Sequence, residues 1–334
     1  MTKTKVGADR SFWERNKTSG GYLLKKKLLS VGISVVRFIL LFGMCFMILQ
    51  PILNKISVSF MKEADIYNPI VISIPSEFST ENYRIAWDAM NYGKGIVNTL
   101  VFSILISLLQ VAMCTLVGYG FARFNFPLKK FWFGCVMVMI LVPPQTIATS
   151  LYLHFRFFDV LGIIKAITGS TVNLRNSPLP YFLMSAGCTG LKNGLYIFLI
   201  RQFFRNLPGD LEEAAYVDGL GTFRTFIQIM LPEAKPIITS CFLFAFVWQW
   251  TDGFYSRMFL GGRTLLSTSL ASLPDSLTNF ILRMWGQTSG TVAVGYINML
   301  VSTGTLMVIV PLIILYLFAQ RAFVESISST GIKM

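Results

Sequence analysis

From Val31 to Asn54 the chain reads VGISVVRFILLFGMCFMILQPILN, and Arg37 is the one charge in that run. A bilayer core takes roughly 20 apolar residues of helix to cross. Within it every backbone polar group must be satisfied inside the segment, so a run of this kind folds as a helix. Comparable runs recur and place six spans at about 31–54, 96–120, 131–153, 180–205, 237–260 and 298–320. The fold class that follows is an all-α, multi-pass membrane protein, with an N-terminal arm over 1–30 and a transmembrane domain over 31–334.

Composition supports that solvent. Of the 334 residues 54% are hydrophobic and 13% charged, about half the charged share of ordinary soluble domains. The net charge of +13 raises nucleic acid as a partner, but its placement argues against one. Residues 1–37 hold nine Lys or Arg against Asp9 and Glu14, the basic excess that marks a cytoplasmic end. No nucleic-acid partner is expected, and the bilayer is. The first run is too long for a signal peptide, and QPILNKIS offers no small-residue cleavage site. It reads as an uncleaved helix.

The loops orient the spans. Loop 55–95 has no basic excess and suits the outside. Loop 121–130 carries Arg123, Lys129 and Lys130 without an acid and suits the inside. Both termini then lie in the cytoplasm, and residues 261–297 form an outer loop that can hold a short helix. In the fourth span Lys192 allows two readings: a charge at membrane depth, or a side chain near the outer surface with the span starting near Asn193. The five cysteines show no C-x-x-C spacing and read as small hydrophobes rather than a metal set.

Loop 206–236 is inside by this order, yet it carries Glu212, Glu213, Asp218 and Glu233. Asp210 with Glu213 three residues on has the form of a capping box, opening a short helix from Leu211 to about Val217. Gly219 and Gly221 break it. Thr222 is placed to cap a second helix with Phe223, Phe226, Ile227 and Met230 at helical spacing, which Pro232 stops. Lipid-surface helices favour Lys and Arg, so an acidic helix-turn-helix points to a protein partner.

Here Glu213-Ala214-Ala215, Asp218-Gly219, Phe226, Ile229, Leu231-Pro232 and Pro236 resemble, position by position, the EAA loop of the permeases of ATP-binding-cassette (ABC) importers. Leu220 departs, where that family favours Ala. Asn98-Thr99-Leu100 and Gly118-Tyr119-Gly120-Phe121-Ala122-Arg123 look like its second helix. Phe198–Phe204 and the tail from Gln320 to Lys333 resemble its carbohydrate, maltose-type branch. Residues 181–194 look like an insertion, and Trp248-Gln249-Trp250-Thr251-Asp252 departs from the usual pattern.

The resemblance implies a type I ABC importer permease fold in a prokaryotic plasma membrane. It implies that Glu213, Ala214, Ala215, Asp218, Gly219, Phe226, Ile229, Leu231 and Pro232 couple the chain to an ATPase. It also implies a second, different permease chain beside it, two ATPase subunits that bind ATP and Mg, and an extracytoplasmic solute-binding protein. The chain itself has no G-x-x-x-x-G-K-[ST] loop for ATP phosphates, and His154 stands without a catalytic set. No enzyme activity and no cofactor of its own are expected.

Sugar sites combine aromatics with amides and acids. Candidates along the solute pathway are Trp248, Gln249, Trp250, Asp252 and Tyr255, with Asn98 and Gln110. Packing is the alternative for the aromatics, and pairing with Arg257 the alternative for Asp252. An amino-acid or peptide importer permease, or a secondary transporter, stays open as a different reading.

Overall fold

The computed structural model describes residues 16–18, 20–71, 74–288 and 290–331, with backbone alone for 321–331. The basic residues before Asn16 and the end of the tail from Ile332 lie outside them. Among the described residues the chain is helical, and its one β contact is an isolated bridge between Phe158 and Val172.

The first helix, α1 (Tyr22–Ser59), contains Pro51 and runs past both ends of the predicted span. Its apolar window buries nothing against the rest of the chain, as suits a surface meant for lipid or another membrane protein. A short helix, α2 (Glu81–Ala89), leads into α3 (Tyr92–Arg123), which holds the second span entire. Helix α3 is the central post. It packs on the helices of the fourth and fifth spans and buries a line from Thr99 through Ser103, Ile106, Gln110 and Cys114 to Gly118 and Phe121. A Cβ on Gly118 would stand 2.9 Å from Ile200 Cγ2 and 3.2 Å from the Arg201 backbone nitrogen, so glycine is what lets two backbones approach there.

The third and fourth spans depart from single straight helices. The third breaks into α4 (Lys129–Leu141), a 3₁₀ turn and α5 (Ala148–Arg156), with a bend of 101°. The cause is local. Val142 precedes Pro143 and is extended (φ −74°, ψ 117°), the conformation a following proline favours. The fourth is α6 (Leu179–Ala186) and α7 (Asn193–Asn206), separated by Gly187–Lys192. Cys188 and Lys192 take left-handed conformations in that link (φ 54° and 64°), and α7 starts at Asn193.

The loop after α7 opens with α8 (Asp210–Val217). The fifth span is α9 (Lys235–Thr251), then an extended Asp252, then α10 (Phe254–Phe259). The outer loop 261–297 holds a 19-residue helix, α11 (Leu266–Met284), rather than a short one. Leu266, Leu273, Leu277 and Ile281 are buried along it against α12 (Val294–Gly331), the sixth span. Helix α12 also packs on α1.

By length and composition three helices among the described residues, α1, α3 and α12 over its first 27 residues, can cross a membrane. The bent pairs around residues 142 and 234 raise the number to five. The predicted fourth span is the one that does not qualify, because its link divides it. All five cysteines are free: Cys114, Cys188 and Cys241 are buried, whereas Cys45 and Cys135 are exposed on the helix surface.

Candidate functional site

The acidic loop is built around one inward-facing carboxylate. Helix α8 begins with backbone bonds from Glu212 N–H and Glu213 N–H to the Gly209 carbonyl (2.9 and 3.1 Å). Gly209 is therefore the N-cap. Asp210, expected as the cap, is the first helical residue, and no side chain caps this end. Its acid still complements the positive helix end, as do Glu212 and Glu213.

Glu212, not Glu213, reaches the protein interior. It is 8% exposed. Its Oε1 accepts a hydrogen bond from the Tyr119 hydroxyl at 2.7 Å, and its Oε2 stands 3.2 Å from Arg123 Nε. Arg123 Nη2 also donates to the Leu207 carbonyl at 2.9 Å. Tyr119 and Arg123 are one turn apart at the end of α3, so a buried charge is matched and hydrogen-bonded. Around Tyr119 pack the rings of Phe204 (5.2 Å), Phe226 (4.7 Å) and Phe124 (5.5 Å). Ala215 is buried beside them, while Glu213, Ala214, Tyr216, Val217, Asp218 and Gly219 face outward. One face of α8 is thus tied to α3, and the face carrying most of the motif is free for a partner.

Gly219 ends the helix at φ +81°. Its N–H donates to the Tyr216 carbonyl at 3.1 Å and the Leu220 N–H to that of Ala215 at 3.0 Å. This is the Schellman arrangement, which calls for a left-handed residue and so for glycine. No atom stands within 4 Å of where a Cβ would be; the requirement is conformational, not spatial.

The second helix also differs from expectation. Gly221 caps it, accepting from Thr225 N–H at 3.0 Å, and Thr222 is already helical. One α turn, Thr222–Thr225, passes into a π turn, Phe226–Met230, in which the Leu231 N–H bonds the Phe226 carbonyl. Pro232 does not stop the helix, which continues to Glu233 and then bends by 74° into α9. Its missing N–H falls at the start of a new segment, where none is required. The wider turn also splits the expected apolar stripe: Phe226 and Met230 are buried, whereas Phe223 (70%) and Ile227 (44%) are exposed. Ile229 and Leu231 are half-buried against the same core.

The pathway candidates are dispersed. Trp248 is 44% exposed, with Lys192 Nζ 4.8 Å from its ring centre. With Asp252 and Thr251 they line a cavity of about 480 Å³. Tyr255 borders a second cavity of about 350 Å³ with Lys192 and Asn193. Asn98 donates to the Thr264 carbonyl at 3.0 Å and lines a third with Lys94 and Arg263. Gln110 is buried and donates to the Leu191 carbonyl (3.3 Å), Trp250 is buried and donates to that of Val308 (3.2 Å), and Gln249 is buried nearby. Asp252 accepts from the Tyr181 hydroxyl (2.6 Å) and from the N–H groups of Phe254 and Tyr255 (3.0 and 3.1 Å). Its carboxylate thus opens α10, and Arg257 bonds the Gly253 carbonyl instead of Asp252.

Residues 114–329, which contain α8, the bent helix after it and both halves of the fourth and fifth spans, match the model of the binding-protein-dependent transport system inner membrane component. The chain belongs to that family. It is therefore a permease, an integral and multi-pass transport component, and no enzymatic activity is indicated.

Among its relatives is a probable ABC transporter permease of Pyrococcus horikoshii, 29% identical over 56% of this chain and 62% of that one. Another is the arabinooligosaccharides transport system permease of Halalkalibacterium halodurans, 24% identical over 92% of this chain and 96% of that one. A third is the melibiose/raffinose/stachyose import permease of Bacillus subtilis, at 25% over 78% and 83%. In fold the permease is similar to a crystal structure of a bacterial ABC transporter involved in the import of the acidic polysaccharide alginate. The TM-score is 0.68 at 18% identity, covering 87% of this chain and 96% of that one.

Proposed function

We propose that this permease forms half of the pathway of an ATP-driven importer for a sugar or oligosaccharide, and that the outward face of α8 is where separate ATPase subunits push. One observation carries the reading: Glu212 ties α8 to α3 on one side, while Glu213, Ala214, Tyr216, Val217 and Asp218 are presented on the other. Force applied to that face reaches α3 through the Tyr119–Arg123–Glu212 contact, and reaches α9 through the helix that ends at Glu233. Movement of the ATPase pair then rocks whole spans and shifts the balance between inward-open and outward-open states.

The partners are a second permease chain, two ATPase subunits that hold ATP and Mg, and an extracytoplasmic binding protein that delivers solute. The permease itself has no ATPase site. Six spans with both termini in the cytoplasm of a prokaryotic cell put α8 on the ATPase side; the fourth crosses as the two helices α6 and α7 with the link between them. The cargoes named for the relatives, melibiose to arabinooligosaccharides, support a glycan, and Trp248, which lines a cavity with Asp252, would stack on a sugar ring.

The test is a cysteine at Val217, 87% exposed on α8, in a background without native cysteines. With an ATPase subunit co-expressed, it should crosslink to that subunit, and ATP hydrolysis should appear only in the assembled complex. A permease that assembles and transports without any crosslink from the α8 face would remove the docking assignment.

A further inference from the structure

Three cations meet where α4 begins and α7 ends. Arg201 and Arg205 are one turn apart on α7, and Lys129 is the first residue of α4. The Arg201 guanidinium carbon lies 3.8 Å from the centre of the Phe133 ring, which stacks on Phe198 of α7 at 6.5 Å. The ends of the two helices are therefore clamped together at Arg201, with half-buried Lys129 and exposed Arg205 close by. Arg201 Nε is buried and has no hydrogen-bond partner. Lys129 donates one bond, to the Phe124 carbonyl at 2.7 Å, and has two N–H groups to spare. The two ion pairs among the described residues, Lys62–Glu77 and Arg123–Glu212, are elsewhere. Lys129 lies within electrostatic reach of both arginines.

Like charges repel, and a buried guanidinium N–H without an acceptor costs stability. An anion at the cluster answers the first, and its oxygens can accept from the accessible N–H groups of the two guanidiniums and of Lys129. Its source follows from location. Phe131 and Trp132 are exposed on α4 next to Lys129, and exposed aromatics of this kind sit at a membrane–water boundary. The anion abundant there is a lipid phosphate, and basic pockets between helix ends are suited to it. We propose that Lys129, Arg201 and Arg205 form a binding site for the phosphate of an anionic phospholipid, whose acyl chains run along the exposed face of α4. Arginine suits this because its planar fork matches phosphate oxygens two at a time. The inference uses the reading of α4 and α7 as membrane helices and is independent of which solute is carried.

Native mass spectrometry of the full-length permease in detergent tests it, with dioleoyl-phosphatidylglycerol, dioleoyl-phosphatidylcholine or inorganic phosphate added. Wild type should retain one phosphatidylglycerol, with phosphatidylcholine at least tenfold weaker and millimolar phosphate failing to compete. Arg201→Gln with Arg205→Gln should lower retention about tenfold. Arg205→Gln alone, a surface change that leaves folding unaffected, should lower it about threefold, and Arg201→Lys with Arg205→Lys, which keeps the charge and loses the fork, should hold retention between wild type and the double glutamine variant. Lys25→Gln with Lys26→Gln on α1 should change nothing. Equal retention by Arg205→Gln and wild type, equal loss in the α1 control, equal binding of phosphatidylcholine, or competition by free phosphate would each overturn the proposal. So would displacement of the lipid by added ATPase subunit, which would make the cluster a protein contact.

Discussion

Tyr119 and Glu212 stand 93 residues apart in the chain and share a 2.7 Å hydrogen bond beneath the acidic helix. That bond, with Arg123 on the other carboxylate oxygen, makes the two adjacent glutamates unequal. Glu212→Gln should leave the Arg123 charge poorly compensated in a largely buried site, at a cost of about 3 kcal/mol, and should reduce uptake. Glu213→Gln removes an exposed side chain and should stay within about 0.5 kcal/mol, with its effect confined to ATPase binding. Thermal unfolding of the two purified variants, beside a pull-down of the ATPase, separates them. Equal destabilisation would mean that the inward contact carries little.

Substitution at Gly219 tests backbone conformation, since the space around it is open. Gly219→Val should cost about 1–3 kcal/mol for a β-branched residue at positive φ and should uncouple ATP hydrolysis from uptake. Gly219→Asn should be much milder, because Asn tolerates the left-handed region. Paired uptake and ATPase assays in membranes read this directly, and equal behaviour of the two variants would count against the Schellman turn.

Gly118 behaves in the opposite way, because there the space is closed. Gly118→Val should push α3 from α7 at a cost of about 1–3 kcal/mol. Adding Ile200→Ala should recover part of the loss, since Ile200 Cγ2 is the nearest atom. Unfolding midpoints of the single and double variants give the answer.

Sidedness can be read with an impermeant thiol reagent. Cysteine at Val217 should be labelled only after the cells are opened, and cysteine at Phe78, 79% exposed in the first outer loop, should be labelled in intact cells. The reverse pattern would invert every assignment of inside and outside.

The outer loop has its own pH dependence. The Ser76 hydroxyl and the Lys62 N–H both donate to the Asp65 carboxylate and hold it below its ordinary pKa of 3.8. A carboxyl depressed in the folded state contributes stability that is complete above its unfolded value and lost as pH falls through the folded one. Protease sensitivity of residues 60–80 should therefore rise on acidification below about pH 4, and Asp65→Asn should be sensitive already at neutral pH. A wild-type loop that is equally resistant at pH 3 and pH 6 would contradict this.

What the sequence made legible was whatever depends on local pattern. The second span, the short helix near Leu211–Val217 and its break at Gly219 follow from apolar runs and from glycine chemistry. The loop 206–236 was identifiable as a unit, but the orientation of its parts was not. Two adjacent glutamates cannot both face inward, and the pattern marks Glu213, whereas Glu212 meets the interior. The available clue was Tyr119 and Arg123 at one-turn spacing, a polar patch at a span end in want of an acid.

The bends arise from tertiary demands that hydropathy averages away. Pro143-Pro144 was visible inside the third span, yet the mean apolarity of the window hides a turn of 101°. Asp252 looks like a pathway acid by composition and is, by its bonds, the opening of α10. Helix α11 was expected only as a short helix, because its polar residues hid its length, although Leu266, Leu270, Leu273, Leu277 and Ile281 recur at helical spacing.

The π turn at Phe226–Met230 amounts to one surplus residue wound into a helix. An α turn closes on i→i+4 bonds and this one on i→i+5, so the surplus residue is taken up within a single wider turn. Deleting one residue there would tighten the turn to α geometry and leave α8 and α9 near their present settings. The change would be local, at the turn that buries Phe226 and Met230 and exposes Ile227. The turn thus acts like slack in a rope: it absorbs one residue of length, so that the ring packing on Tyr119 and the start of α9 are met together.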